Sequence, residues 1–213
     1  MKLGAHSATF VKEWGENIIP YINKIVEIGY KSVEVSLLGH DDKSAEKIGQ
    51  LSNDLGVEIT CTTGLSSDQD ITSRDKEICK RGINALKNSL LLTKKMNSSL
   101  LSGVIFGPWG ISKKPGDNKK EKLINSSESI KLICKELEDL KINLGIEPLN
   151  RYETDILNTT EEGLELCEKI NHPNVGLLLD TYHMNIEQKD ICKTIILAKD
   201  KIWPLSGFII IIL

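Results

Sequence analysis

The sequence predicts an α/β fold, a parallel sheet covered by helices, within one domain. Three observations carry this expectation. Short apolar runs alternate with amphipathic stretches from one end of the chain to the other. Six such strand-then-helix units follow one another in unbroken series. No linker or shift in composition divides the chain, and 213 residues suit one domain with a substantial core better than two.

The elements read in order. A first strand is expected near Lys2–Ala5. Ile18, Ile19, Ile22, Ile25 and Val26 then recur at helical spacing, and Gly29 stops that helix. Ser32–Leu37 reads as the second strand. Ala45, Ile48, Leu51 and Leu55 mark a helix ending at Gly56, and Val57–Thr62 forms the third strand before a Ser-rich loop. Ile78, Ala85, Leu86, Leu90 and Thr93 outline the third helix. Leu100–Ile105 is the fourth strand, followed by Gly107-Pro108-Trp109-Gly110. Ile130, Ile133, Leu137 and Leu140 belong to one long fourth helix, and Ile142–Glu147 is the fifth strand. Thr159 with Glu162 predicts a capping box for a fifth helix carrying Leu164, Cys167 and Ile170. Val175–Asp180 is the sixth strand, and Ile191, Ile195 and Ala198 suggest a sixth helix.

Two architectures share this pattern: an open doubly wound sheet and a closed (β/α)₈ barrel. A dinucleotide-binding sheet would carry Gly-x-Gly-x-x-Gly after its first strand. Here that strand is followed by His6-Ser7-Ala8-Thr9-Phe10. Length cuts the other way, since a closed barrel usually takes about 250 residues.

Composition narrows the function. Hydrophobic residues make up 40% and charged residues 27%, as in ordinary soluble domains. A net charge of −3 leaves no footprint for nucleic acid. The Lys-rich run Lys113–Lys122 is interrupted by Asp117 and Glu121 and reads as a solvated loop and helix start. Five widely spaced cysteines without a Cys-x-x-Cys point to a reducing cytoplasm and away from disulfides or structural zinc. No signal peptide is legible, and the apolar run Phe208–Leu213 is too short to span a membrane.

In parallel α/β folds the reactive groups gather where strands end. Glu147 and Asp180 each stand directly after an apolar run. A buried carboxylate needs a cation partner. Two such acids with His183 nearby suit a divalent metal. The alternatives are that both acids are helix N-caps or surface groups, and that His183 is a loop or packing histidine. Trp14 and Trp109 follow the first and fourth strands and either wall a sugar pocket or pack across its mouth. His6, His40 and His172 carry less of the expectation: His172 precedes Pro173 in a turn and His40 sits in a polar loop.

Glu147-Pro-Leu-Asn-Arg-Tyr-Glu153 and Leu179-Asp-Thr-Tyr-His-Met-Asn-Ile-Glu187 closely resemble the signature segments of the D-tagatose 3-epimerase/D-psicose 3-epimerase family. That family belongs to the xylose-isomerase-like barrels, which also hold hydroxypyruvate isomerases, inosose dehydratases and type IV endonucleases. The resemblance runs from residue 1 to about residue 200 and implies a (β/α) barrel. It further implies that Glu147 binds a metal and moves a proton, that Asp180 is a second ligand, and that Glu153 and His183 contact substrate hydroxyls. The implied metal is Mn²⁺, with Co²⁺ or Mg²⁺ as substitutes. The implied ligand is a ketose or related small sugar, with no nucleic acid or membrane partner, and the implied assembly is a homo-oligomer. The implied reaction is epimerisation at C3 through an enediolate stabilised by the metal. One carboxylate takes the proton from one face and a second returns it from the other.

The resemblance fades near the end of the sequence. The family places a histidine ligand and an arginine after the sixth unit, and a glutamate, ligand and second acid/base, later still. Here no histidine follows His183, no arginine follows Arg151, and the last acid is Asp200. The expectation is a single barrel domain over 1–213, family-like over 1–200, with an aberrant tail over 201–213. Epimerase activity would then be impaired, and a non-catalytic remnant or binding module is the alternative. An endonuclease would call for more histidines than four and for a basic face.

Overall fold

The computed structural model describes residues 3–111 and 118–202. Six strands form one parallel sheet: β1 (Gly4–His6), β2 (Ser32–Ser36), β3 (Glu58–Leu65), β4 (Leu100–Pro108), β5 (Asn143–Ile146) and β6 (Val175–Leu177). Their spatial order is their sequence order, and each neighbouring pair is parallel. A doubly wound sheet reverses its order at a switch point. The absence of any reversal among the described strands settles the architecture as barrel-type.

The helices form because their sequences cap and stop them. α1 (Ile19–Ile28) ends at Gly29, whose φ of 111° only glycine adopts without strain. α2 (Asp42–Leu55) opens with a capping box between Asp41 and Ser44. α3 (Lys76–Lys95) is capped by the Asp75 carboxylate. α4 (Lys119–Lys131) begins at Asn118, as the helix start expected near Lys122 requires; residues 112–117 of that run lie outside the described residues. α5 (Cys134–Leu140) follows, and α6 (Thr160–Ile170) carries the expected Thr159/Glu162 capping box. α7 (Thr181–Glu187) and α8 (Ile191–Ala198) complete the set. The core lies between sheet and helices: Val33, Val35, Ile59 and Leu101 meet Ile22, Ile48, Leu86 and Leu90, all buried. No described helix is long and apolar enough to cross a membrane.

Several boundaries differ from the sequence expectation. The long fourth helix is broken at Leu132 and Ile133, where backbone N–H groups bond three residues back, to Ser129 and Ile130. That tighter turn keeps Ile130 and Ile133 both buried while Leu132 points outward. β1 is shifted to Gly4–His6, β5 stops at Ile146 and β6 at Leu177, so Glu147 and Asp180 stand beyond their strands. His183 lies in a helix, α7, and not in a loop. After α8 the chain returns to the sheet: the Leu177 amide donates to Lys201 O at 2.8 Å, and Ile202 makes one parallel bridge with Leu177. That is the place of a seventh strand; residues 203–213, which hold most of the expected aberrant tail, lie outside the described residues.

Candidate active site

A cavity of about 370 Å³ opens at the C-terminal ends of the strands. Its β5–β6 wall carries Glu147, Glu153, Asp180 and His183, and its β1–β2 wall carries His6 and Glu34. The Glu147 backbone N–H donates to Gly103 O at 3.2 Å, which ties the residue after β5 to β4. Gly103 has φ 111°, and a Cβ there would collide with the Thr63 carbonyl oxygen, so this close strand contact needs glycine. Asp180 is the N-cap of α7: its Oδ1 accepts the Tyr182 N–H at 2.8 Å. Its Oδ2 lies 3.8 Å from His183 Nε2, and Glu147 Oε1 lies 3.9 Å from the same nitrogen. Glu153 Oε1 is 3.9 Å from His183 Nδ1. Ligand atoms of Glu147, Asp180 and His183 all fall within 4.8 Å of one another, close enough to share one ion.

The electrostatics are those of acids without a counter-charge. Burial, reinforced by Glu34, Asp180 and Glu153, pushes the Glu147 carboxyl well above its ordinary range. Burial also raises Asp180, against the opposing pull of the Tyr182 N–H and His183. Glu34 is pushed up to about 7 by burial, with the Ser102 hydroxyl working against the shift and Asp180 adding to it. Burial lowers His183, opposed by Asp180 and Glu153, so the imidazole is neutral near pH 7. No described lysine or arginine pairs with these four acids; among the described residues, the one basic group within 4 Å of Glu147, Glu153 and Asp180 is His183. A divalent cation fits such a donor set, because it supplies the charge that the chain omits.

The sequence reading named six residues here, and all six line this one cavity. Trp14 and Trp109 come together at its mouth with ring centroids 5.8 Å apart, and remain 53% and 44% exposed. Asp180 is at once an N-cap and a member of the acid cluster, so capping the helix does not take it out of the group that could share an ion. Three residues escaped the sequence reading. His6 was set aside, yet its ring packs 5.1 Å from Trp14 and lines the cavity. Glu34, 4% exposed within β2, lies on the cavity floor with Oε2 unpartnered. Asn150 stands in the recognised segment, and its amide touches both Glu153 and His183.

A family model described as xylose isomerase-like TIM barrel matches residues 22–204. The chain belongs to that family. The chain is similar to the L-ribulose 3-epimerase of Methylomonas sp. strain DH-1, at 31% identity over 95% of this chain and 70% of that protein. The ketose 3-epimerase of Arthrobacter globiformis is 30% identical, over 92% of this chain and 68% of its own length. A crystal structure of D-psicose 3-epimerase with D-tagatose from Clostridium cellulolyticum H10 superposes with a TM-score of 0.88. It shares 28% identity and is matched over 95% of this chain and 71% of that one. The chain thus spans about 70% of the length of the barrel enzymes it resembles.

Proposed function

We propose that the chain carries the cation- and substrate-binding wall of a ketose 3-epimerase, with Mn²⁺ as the preferred ion and Co²⁺ or Mg²⁺ as substitutes. The observation that carries this reading is the cluster of Glu147, Asp180 and His183 beside Glu153, buried or half-buried and without a described lysine or arginine. Similarity to ketose 3-epimerases over most of the chain supports the sugar as ligand.

Glu147 and Asp180 would hold the ion. When bound, it supplies a positive charge that stabilises the enediolate oxygens as they form. The chain's own residues do the rest. Glu147, on the cavity wall just beyond β5, would take the C3 proton. Glu153 and His183 orient the sugar hydroxyls, and Trp14 and Trp109 shield the mouth from water. Inversion also needs a proton donor on the opposite face of the sugar. Glu147 and Asp180 come from neighbouring strands, on one wall. Proton removal at C3 is therefore the step assigned to this wall.

The test is hydrogen exchange at C3. With Mn²⁺ and a ketose such as D-psicose in D₂O, the chain should introduce deuterium at C3, with net epimer forming more slowly than about 1 s⁻¹. Absence of both exchange and ketose binding in the presence of the ion contradicts the reading.

A further inference from the structure

Asn150 is 1% exposed, and both ends of its amide are used. Oδ1 accepts the Tyr152 N–H at 2.9 Å. Nδ2 donates to Glu153 Oε1 at 2.8 Å and lies 2.8 Å from His183 Nδ1. A backbone donor at one end and a carboxylate at the other fix which end is oxygen and which is nitrogen. The backbone N–H of Asn150 also points at His183 Nδ1, at 3.2 Å. A backbone amide can only donate. Nδ1 is therefore an acceptor, and a neutral imidazole must carry its proton on Nε2. That nitrogen is the one turned toward Asp180 Oδ2 and Glu147 Oε1.

We propose that Asn150 is a positioning residue: it holds His183 in the Nε2–H tautomer and aims Glu153, so that His183 meets the ligand as a hydrogen-bond donor and does not bind the cation. The role of that donor rests on the function proposed above; the tautomer does not. A ring nitrogen that carries a proton has no lone pair to offer an ion. Of the three groups close enough to share an ion, the two carboxylates hold it and the imidazole faces the sugar. One residue, three positions before Glu153, thus sets two ligand contacts at once.

The experiment is a long-range ¹H–¹⁵N spectrum of ¹⁵N-histidine-labelled protein without metal, at about pH 7.5, where His183 is neutral. His183→Gln assigns its signals among the four histidines. The expected spectrum shows an unprotonated Nδ1 and a protonated Nε2 for His183. In Asn150→Asp, which replaces the side-chain donor by an acceptor and leaves only the backbone N–H facing Nδ1, the Nε2–H share should fall and a proton should appear on Nδ1 in part of the population. With diamagnetic Mg²⁺ added, Nε2 should keep its proton. A wild-type Nδ1–H overturns the proposal, and so does an unchanged spectrum in Asn150→Asp. Loss of the Nε2 proton on adding Mg²⁺ also overturns it, since the ring would then be a ligand. The wild-type spectrum decides the tautomer even if the variant does not fold. Failure of the epimerase reading would show separately, as absence of cation binding or C3 exchange.

Discussion

Just outside the cavity, Glu187 accepts two guanidinium bonds from Arg151, each 2.9 Å long, and Glu162 meets Lys119 at 2.6 Å. Inside it, Glu34, Glu147, Glu153 and Asp180 have no described lysine or arginine. Glu187 belongs to α7, the helix that Asp180 caps, yet the two sets of charges are handled in opposite ways. Arg151 holds Glu187 below the ordinary carboxylate range, while burial and mutual repulsion drive Glu147 above it. The outer pairs fasten the scaffold: Arg151–Glu187 ties the segment after β5 to α7, the helix that bears His183. The inner acids are left for something from outside the chain. A folded protein tolerates such a cluster when protons or a bound cation supply the missing charge.

Removing an inner acid should have the largest effect. Glu147→Gln or Asp180→Asn is expected to lower C3 exchange at least about 100-fold, since even partners of metal ligands cost 10- to 100-fold. Deuterium incorporation into the ketose checks this. Exchange close to wild type in Glu147→Gln would remove the proposed base from the account.

Acidity of the metal-free protein comes next. The folded chain holds Glu34 at about 7 against an ordinary value of 4.5, so it binds that proton more tightly than the unfolded chain does. Stability from this group is full below about pH 4.5 and is lost as pH rises through about 7, on the order of 3 kcal/mol in all. His6, lowered to about 4 by burial, works in the opposite direction as pH rises from about 4 to 6.5. The difference between wild type and Glu34→Gln isolates the acid. Urea unfolding across that range should show wild type losing ground to the variant as pH rises, and a flat difference contradicts the assignment.

The smallest effect belongs to an exposed ion pair far from the cavity. Lys95 reaches Asp42 at 2.8 Å and Glu46 at 3.1 Å on the surface. Lys95→Ala should leave the melting temperature unchanged within error, because solvent and salt screen such contacts. A marked loss would mean that outer pairs hold more of the fold than the comparison allows.

How much of this the sequence disclosed follows the same division. Glu147 and Asp180 were legible because each interrupts the polarity pattern at the end of an apolar run. Glu153 and His183 came with them, on the strength of the family resemblance. Glu34 was hidden because it lies inside a strand whose residues are all buried. Its signal was there in alternation: Ser32, Glu34 and Ser36 occupy one face, and Val33 and Val35 the other. A polar face on a central strand marks an interior that is not filled by apolar packing. His6 had no pattern around it; only the return of Trp14 to the same rim gives it a place. Helix α7 has seven residues and too little apolar periodicity to be read, so His183 was expected in a loop. The strand order that decides for a barrel is a tertiary fact, since βα alternation is the same in both architectures.

The most direct measurement is a calorimetric titration of Mn²⁺ into the metal-free chain, beside Glu147→Gln and Asp180→Asn. The account predicts one ion bound per chain, with protons released as the raised carboxyls ionise, and at least about 100-fold weaker binding in each variant. No binding, or binding that both variants retain, would contradict the claim that these buried acids await a cation.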